Sequence, residues 1–406
     1  MNGFTEKQKE YFREATHRWN IKSGATRSGK TYMDYFVIPK RIRAVSGKSG
    51  LVVLLGNTKG TLQRNIIDPL QSIWGTGYVS SIRSDNTAIL FGEKVYCLGA
   101  DKISNVDKIR GSSIKYCYGD EVVTWHEDVF NMLKSRLDKD YSRFDGTCNP
   151  DNPHHWFKQF IDGANDKGID LYYQKYRLDD NTFLAKAVVD SIKKEYAGTV
   201  FYDRYVLGEW VPAEGLIYQL IADNPERYMV DRDDLPALHS VTVGEDFGGN
   251  KSGHAIVSSG IGSDGILYFT NASFKKATGS TASDLTAWSV NTFEEIHEDT
   301  SCYFDVYADS AEQVLINSIA EKTHFGVYNS LKRPIVDRIR TLCILLASDR
   351  VKFVRGKTET LVEALTQATW DDKKLVDTRL DNGSYNNDII DAAEYSFEYN
   401  MDWLVR

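Results

Sequence analysis

Cysteine is scarce and scattered in this chain. The five residues Cys97, Cys117, Cys148, Cys302 and Cys343 include no C-x-x-C pair, so a zinc site is not expected and a reduced, cytosolic setting is. No apolar run is long enough to span a membrane, and the N-terminus lacks the charged-apolar-small order of a signal peptide, so no membrane role is expected. An excess of positive charge is missing too. A net charge of -8 argues against a protein that coats nucleic acid, yet leaves room for one that touches it through a small local surface. The basic clusters Lys40-Arg41-Arg43 and Lys332-Arg333 read as solvated surface in preference to nucleic-acid contacts.

What is present is a globular composition. With 406 residues, 12% of them aromatic, the chain is long enough for two domains, each with its own core. From residue 18 to about 180, apolar runs alternate with turn signals, which predicts an α/β layer architecture. Strands are expected at 18–23, 51–56, 113–118, 143–148 and 171–177, a hairpin at 87–98, and helices at 30–43, 60–74, 127–137 and 154–162. Residues 208–240 carry three prolines and several acids and read as punctuation. The expected division is a first domain at 1–210, a connector at 211–240 and a second domain at 241–406.

Residues Gly24, Ala25, Thr26, Arg27, Ser28, Gly29, Lys30 and Thr31 spell G-A-T-R-S-G-K-T, a full match to the phosphate-loop pattern G-x-x-x-x-G-K-[ST]. Its glycines let backbone N–H groups wrap a triphosphate, Lys30 reaches the β- and γ-phosphates, and the Thr31 hydroxyl is suited to ligate Mg²⁺. The loop falls between a predicted strand and a predicted helix, whose N-terminal dipole favours anions. ATP with Mg²⁺ is the expected ligand.

A predicted strand downstream ends in Asp120-Glu121. Asp120 is placed to hold Mg²⁺ through water, and Glu121 to polarise the water that attacks the γ-phosphate. The second acid favours hydrolysis over transfer to a small acceptor, because a kinase has no water to activate. Thr147 and Asn149, in G-T-C-N-P, could sense the γ-phosphate, and the Gln8 amide could read an adenine edge. Arg27 could neutralise charge on the γ-phosphate from within the loop or could simply face solvent. Arg110 and Arg136 are the alternative arginines.

The second half carries a series of acids. Asp246 follows a short apolar run at 241–244, and Asp309 ends a strand-like run at 303–308. Asp388 and Asp391 open a helix and are three residues apart, so they share a face. Brought together, these carboxylates would repel unless cations sat between them. Hard Mg²⁺ or Mn²⁺ ions suit such ligands, and two of them would activate water and stabilise the leaving oxygen of a phosphodiester. On residues alone, a helicase or repair-type ATPase, a nucleotide-gated nuclease without translocation and a nucleotide-binding assembly protein remain open.

The order G-A-T-R-S-G-K-T, I-R-G (109–111), Y-G-D-E, T-C-N-P, G-E-W (208–210), E-D-F-G, Y-A-D-S-A-E and N-D-I-I-D-A-A-E-Y resembles the large terminase subunits of tailed bacteriophages over nearly the whole chain. The resemblance implies an ASCE-type P-loop ATPase domain, mainly a parallel sheet with flanking helices, followed by a ribonuclease H-like nuclease domain. It implies a motor that drives double-stranded DNA into a procapsid and cuts concatemeric DNA. The implied partners are the portal protein, the small terminase subunit and further copies of the chain in a pentameric ring. The implied location is the host cytoplasm and, transiently, the procapsid portal vertex. By position, Lys30, Thr31, Asp120, Glu121, Thr147, Asn149 and Gln8 correspond to the family's nucleotide site. Asp246, Asp309 and Asp391 correspond to its metal-binding acids. Asp388 stands where several relatives carry histidine, leaving a fourth metal ligand and a helix N-cap as alternatives.

Overall fold

The computed structural model describes residues 3–109, 111–248, 253–276, 279–371, 373–374, 376–381 and 386–405. The chain forms two compact units, Met1–Asp190 with Phe201–Pro212, and Ser191–Val200 with Ala213–Arg406.

The first unit is built on strands β1 (Trp19–Gly24), β2 (Leu51–Gly56), β3 (Thr87–Leu90), β4 (Glu93–Gly99), β5 (Ile114–Gly119), β6 (Arg143–Cys148) and β7 (Leu171–Tyr176). Their order across the sheet is β3-β4-β2-β5-β6-β1-β7. Only β3 runs antiparallel to its neighbour. The apolar run Leu51–Leu55 alternates between faces, as strand geometry requires. Val53 and Leu55 join a core with Trp19, Cys117, Phe130 and Phe144, while Val52 and Leu54 join another with Ile38, Leu62, Ile66 and Tyr118. Helices therefore cover both faces, the arrangement a parallel sheet needs. β6 lies between the strand feeding the phosphate loop (β1) and the strand ending in the acids (β5), an ASCE-type strand order.

The second unit uses β8 (Met229–Val230), β9 (Leu238–Phe247), β10 (Gly253–Gly262), β11 (Leu267–Lys276), β12 (Asp305–Ala308), β13 (Gly326–Asn329) and β14 (Val351–Val354). Their order is β13-β12-β9-β10-β11-β14-β8. β9, β10 and β11 form an antiparallel meander, with β12 and then β13 added in parallel beside β9. That is the ribonuclease H-like arrangement. Residues 211–240 do more than connect: helix Gln219–Asp223 belongs to this unit, and β8 pairs with β14.

β9 also decides where the acids lie. Val241 and Val243 point into a core with Phe293, Ile296 and Val306. Gly244 and Asp246, two residues apart, share the opposite face. There helix Asn387–Phe397 crosses so closely that a Cβ on Gly244 would sit 1.9 Å from the Ala392 carbonyl oxygen. Small residues Ala392, Ala393 and Ser396 make the approach possible, and Ser396 Oγ bonds Ser259 Oγ at 2.9 Å. Gly244→Ala is therefore expected to lift the helix and lower stability by about 1–3 kcal/mol in urea unfolding.

Candidate active sites

In the first unit, register gathers the sequence motifs at the C-terminal ends of parallel strands, the edge where open α/β sheets bind ligands. Ser23 lies opposite Cys148, and Gly119 opposite Gly146. The phosphate loop thus starts beside Thr147–Asn149, and Asp120 emerges beside Thr147. Gly24 is required by space and conformation: its φ is +153°, and a Cβ would fall 2.0 Å from the Tyr176 carbonyl oxygen. The loop is fixed by Ala25 N–H donating to Tyr176 O at 2.9 Å. Gly29, at φ 84°, turns the chain into helix Lys30–Ala44.

Lys30 is buried, and its Nζ donates to Ala25 O at 3.0 Å and to Asn149 Oδ1 at 2.7 Å. Burial pulls the ammonium below its ordinary value, against the nearby Cys148, Glu121 and Asp120. Asp120 is raised to about 6 by burial and then by the Glu121 carboxylate. It accepts from Thr147 Oγ1 at 3.3 Å and from Asn65 Nδ2 at 3.5 Å. Glu121 is exposed in left-handed backbone at φ 48°, and its N–H donates to Thr147 Oγ1 at 3.4 Å. Thr147 thus touches both acids, and Asn149 touches the loop lysine.

Gln8 sits against the same loop. Its Nε2 donates to Gly29 O at 2.9 Å, while its Oε1 accepts from Thr5 N–H at 2.9 Å in a capping box that opens helix Glu6–Glu14. One amide hydrogen and one lone pair are left over. Arg27 is exposed, in left-handed backbone at φ 57°, and its carbonyl accepts from Asn181 Nδ2 at 2.7 Å. Thr31 is half-buried in the first helical turn. Arg110 lies outside the described residues. Arg136 ends helix Glu127–Arg136 with its Nε buried and without a partner among the described residues.

Beneath the loop lies a buried ionic network that the sequence does not advertise. Lys22 Nζ pairs with Asp34 Oδ1 at 2.6 Å with both side chains fully buried, and Tyr118 OH donates to Asp34 Oδ2 at 3.2 Å. Lys22 also lies 3.9 Å over the Tyr11 ring, whose hydroxyl donates to Asp145 Oδ1 at 2.9 Å. Arg41 closes the chain on Asp145 at 2.8 Å. Arg41 is thus an internal ion-pair partner, not the solvated surface read from Lys40-Arg41-Arg43; its helix turns it inward. G-E-W also reaches the loop strand, through Trp210 Nε1 to Ser23 Oγ at 3.0 Å.

In the second unit, β12 runs parallel to β9 with Ala308 opposite Glu245. The next residue of each strand, Asp309 and Asp246, therefore leaves the sheet at the same edge, and Asp309 N–H donates to Glu245 O at 3.0 Å. Helix Asn387–Phe397 brings Asp388 and Asp391 to that edge. Asp246 is buried, and its carboxylate has no hydrogen-bond or ion-pair partner among the described residues. Burial, then the charges of Asp391, Asp388 and Asp309, push it up to about 8. Asp388 accepts Gly253 N–H at 2.8 Å. The helix N-cap is Asn386, whose side chain accepts from Ile389 N–H, so the N-cap alternative for Asp388 is excluded.

Cations that were not expected at the site hold two of these acids. Lys332 pairs with Asp309. Arg379 pairs with Asp391, and Arg338 approaches the same oxygen at 3.4 Å. Both arginines also grip buried Glu394, at 2.6 Å and 2.9 Å. Lys332 and Arg333, the second cluster read as solvated surface, are thus engaged, Arg333 with Asp402 at 2.8 Å. Only Glu394, one turn after Asp391 on the same face, carried a sequence signal. Among the described residues no group of three or more His, Cys, Asp or Glu side chains is arranged to hold a metal ion as it stands. The donor chemistry nevertheless suits a hard divalent cation: oxygen ligands only, and a buried Asp246 carboxylate with no direct ion pair among the described residues.

The family model described as "Terminase large subunit, T4likevirus-type, N-terminal" matches residues 21–222. The structure of the large terminase from the thermophilic bacteriophage D6E superposes with a TM-score of 0.84 at 25% identity, covering 97% of this chain and 98% of that one. The same D6E protein in complex with ATP-γ-S gives a TM-score of 0.80 at 24% identity, with 97% and 98% coverage. No curated protein sequence matches. By its motifs, its two folds and these likenesses, the chain belongs to the family of bacteriophage large terminase subunits.

Proposed function

We propose that this chain hydrolyses ATP to drive double-stranded DNA into a procapsid and cuts concatemeric DNA with a metal-dependent endonuclease centre. The observation that carries this reading is that one chain joins a complete set of nucleotide-site residues on an ASCE sheet to four carboxylates, two from the strand ends of a ribonuclease H-like sheet and two from the helix packed on it. The D6E large terminase has been solved with ADP and with ATP-γ-S, which supports the nucleotide part.

At the first site, the loop Gly24–Thr31 wraps the triphosphate of ATP. The γ-phosphate competes with Asn149 for the Lys30 ammonium, so its arrival frees the Asn149 amide and its loss returns the contact. Thr147, bonded to Asp120 and to the Glu121 N–H, is placed to pass that change to the acids. Glu121 orients and deprotonates the attacking water; Arg27, at the loop's exposed bend, is the first choice for a charge on the γ-phosphate. Gln8 uses its remaining amide hydrogen and lone pair for adenine. Thr31 and Asp120 would hold Mg²⁺, which supplies charge to the β- and γ-oxygens.

At the second site, Asp246, Asp309 and Asp391, with Asp388 as a further ligand, would hold two Mg²⁺ or Mn²⁺ ions. Bound there, such ions lower the pKa of the attacking water and stabilise the leaving oxygen. The partners of the reading are duplex DNA, the portal protein, the small terminase subunit and further copies of the chain in a pentameric ring. Its setting is the host cytoplasm and the procapsid portal vertex.

The test is a packaging assay with purified chain, portal-bearing procapsids, linear duplex DNA and ATP. DNA is expected to become resistant to added nuclease with the wild-type chain and not with Lys30→Ala. Full ATP turnover on DNA without any protection would sink the packaging reading.

A further inference from the structure

The cations around the nuclease acids are of two kinds. Arg379 and Arg338 are fixed. Their side chains are 3% and 8% exposed, and besides Asp391 they share a second counter-charge in fully buried Glu394. Tyr218 OH adds a bond to Glu394 at 3.3 Å, and Arg338 Nε is tied to Arg333 O at 3.1 Å. Removing either arginine would leave a buried charge uncompensated, so neither can leave Asp391 cheaply.

Lys332 is different. Its side chain is 45% exposed, and among the described residues Asp309 is the acid it pairs with. The loop that carries it is firmly placed. Ser330 N–H bonds Ala308 O at 2.8 Å, the Arg333 N–H bonds Glu398, and the Arg333 guanidinium clasps Asp402 with two bonds, at 2.8 Å and 3.1 Å. Lys332 itself sits in left-handed backbone at φ 49°, a conformation that costs an L residue about 1 kcal/mol or more. A strained residue on a pinned loop, with a flexible stem reaching one acid of the cluster, presents a movable positive charge.

We infer that Lys332 is a displaceable counter-ion of the nuclease centre: its ammonium neutralises Asp309 until a divalent ion takes over that charge, and so it sets how tightly the centre binds the ion. The inference rests on the metal-dependent reading of the centre. The competition is direct, because an ion drawn to Asp309 must break the Lys332 pair and then tolerate the ammonium nearby. Lys332 is thus a positioning residue for the metal site, acting through Asp309.

The test is Mn²⁺ binding to the full chain without DNA or nucleotide, followed by the paramagnetic resonance signal of free Mn²⁺. Asp246→Asn marks the binding that belongs to this centre. Lys332→Met is expected to tighten the Asp246-dependent binding about three- to fivefold, the worth of a half-exposed ion pair, and Lys332→Arg to keep it near wild type. Unchanged or weaker binding by Lys332→Met, with Asp246-dependent binding present in the wild type, would overturn the inference and leave the nuclease reading intact. No Asp246-dependent binding in any variant would overturn both.

Discussion

Glu121→Gln is expected to lower ATP turnover by about 10²- to 10⁴-fold, the range over which a general base contributes, while nucleotide affinity changes little. The side chain lies where the chemistry wants it and binding does not. Asp120, Thr147, Asn149 and Lys30 are linked to one another or to Glu121 by hydrogen bonds within the buried floor of the site. Glu121 alone turns outward, on left-handed backbone that its N–H bond to Thr147 helps to hold. Glutamine keeps the shape and that backbone bond and removes only the basic oxygen. Phosphate release measured beside binding of a fluorescent ATP analogue separates the two effects. A turnover within threefold of wild type would move the water-activating role to another residue. A parallel loss of binding would mean that the substitution had disturbed the loop and not the chemistry.

The ATPase unit was the more legible half because parallel strands buried on both faces read as continuous apolar runs. Leu51–Gly56 falls where the pattern put it. The spatial order of the strands could not be read, since β6 lies between β1 and β5 only through long-range pairing. In the second unit β9 is longer than its apolar run suggests, because the strand continues through Glu245 and Asp246, whose charges break the local rule at the site itself. The short β8 was hidden among prolines and acids for the same reason that short strands usually are: two residues carry no period. Least legible were the cations. Lys22, Arg41, Lys332, Arg338 and Arg379 look like surface residues in sequence, and each is paired with an acid on another element of the fold. Of the arginine candidates for the γ-phosphate, Arg27 lies in the loop, while Arg136 ends a helix after the acids.

Asp246→Asn is expected to abolish DNA cleavage and to make the protein more stable. Cleavage in Mg²⁺ or Mn²⁺ should fall at least about 10³-fold, the size of losing several kcal/mol of charge stabilisation at the reacting phosphate, with ATP turnover kept. The stability gain follows from the same burial. The Asp246 carboxyl is raised from the ordinary 3.8 to about 8 by burial and by three neighbouring carboxylates. A folded-state value above the unfolded one means that the folded chain holds the proton more tightly. The carboxyl's favourable contribution is therefore complete in acid and is lost as pH rises from near 3.8 to about 8. Asparagine carries no charge at any of these pH values, so it escapes that loss. In buffer containing a chelator, urea unfolding should show Asp246→Asn ahead of wild type by roughly 1–3 kcal/mol at pH 8, with the difference fading toward pH 4.5. Saturating Mn²⁺ should reverse the ranking, because only the wild type gains from an ion bound to the folded state. If Asp246→Asn were no more stable at pH 8 and Mn²⁺ raised both proteins equally, the four acids would be a surface feature and cutting would have to be sought elsewhere. If the gain appeared without the reversal, Asp246 would be a buried liability that no ion relieves. Only the gain together with the reversal marks a carboxylate kept at a cost in stability for the charge it is meant to receive.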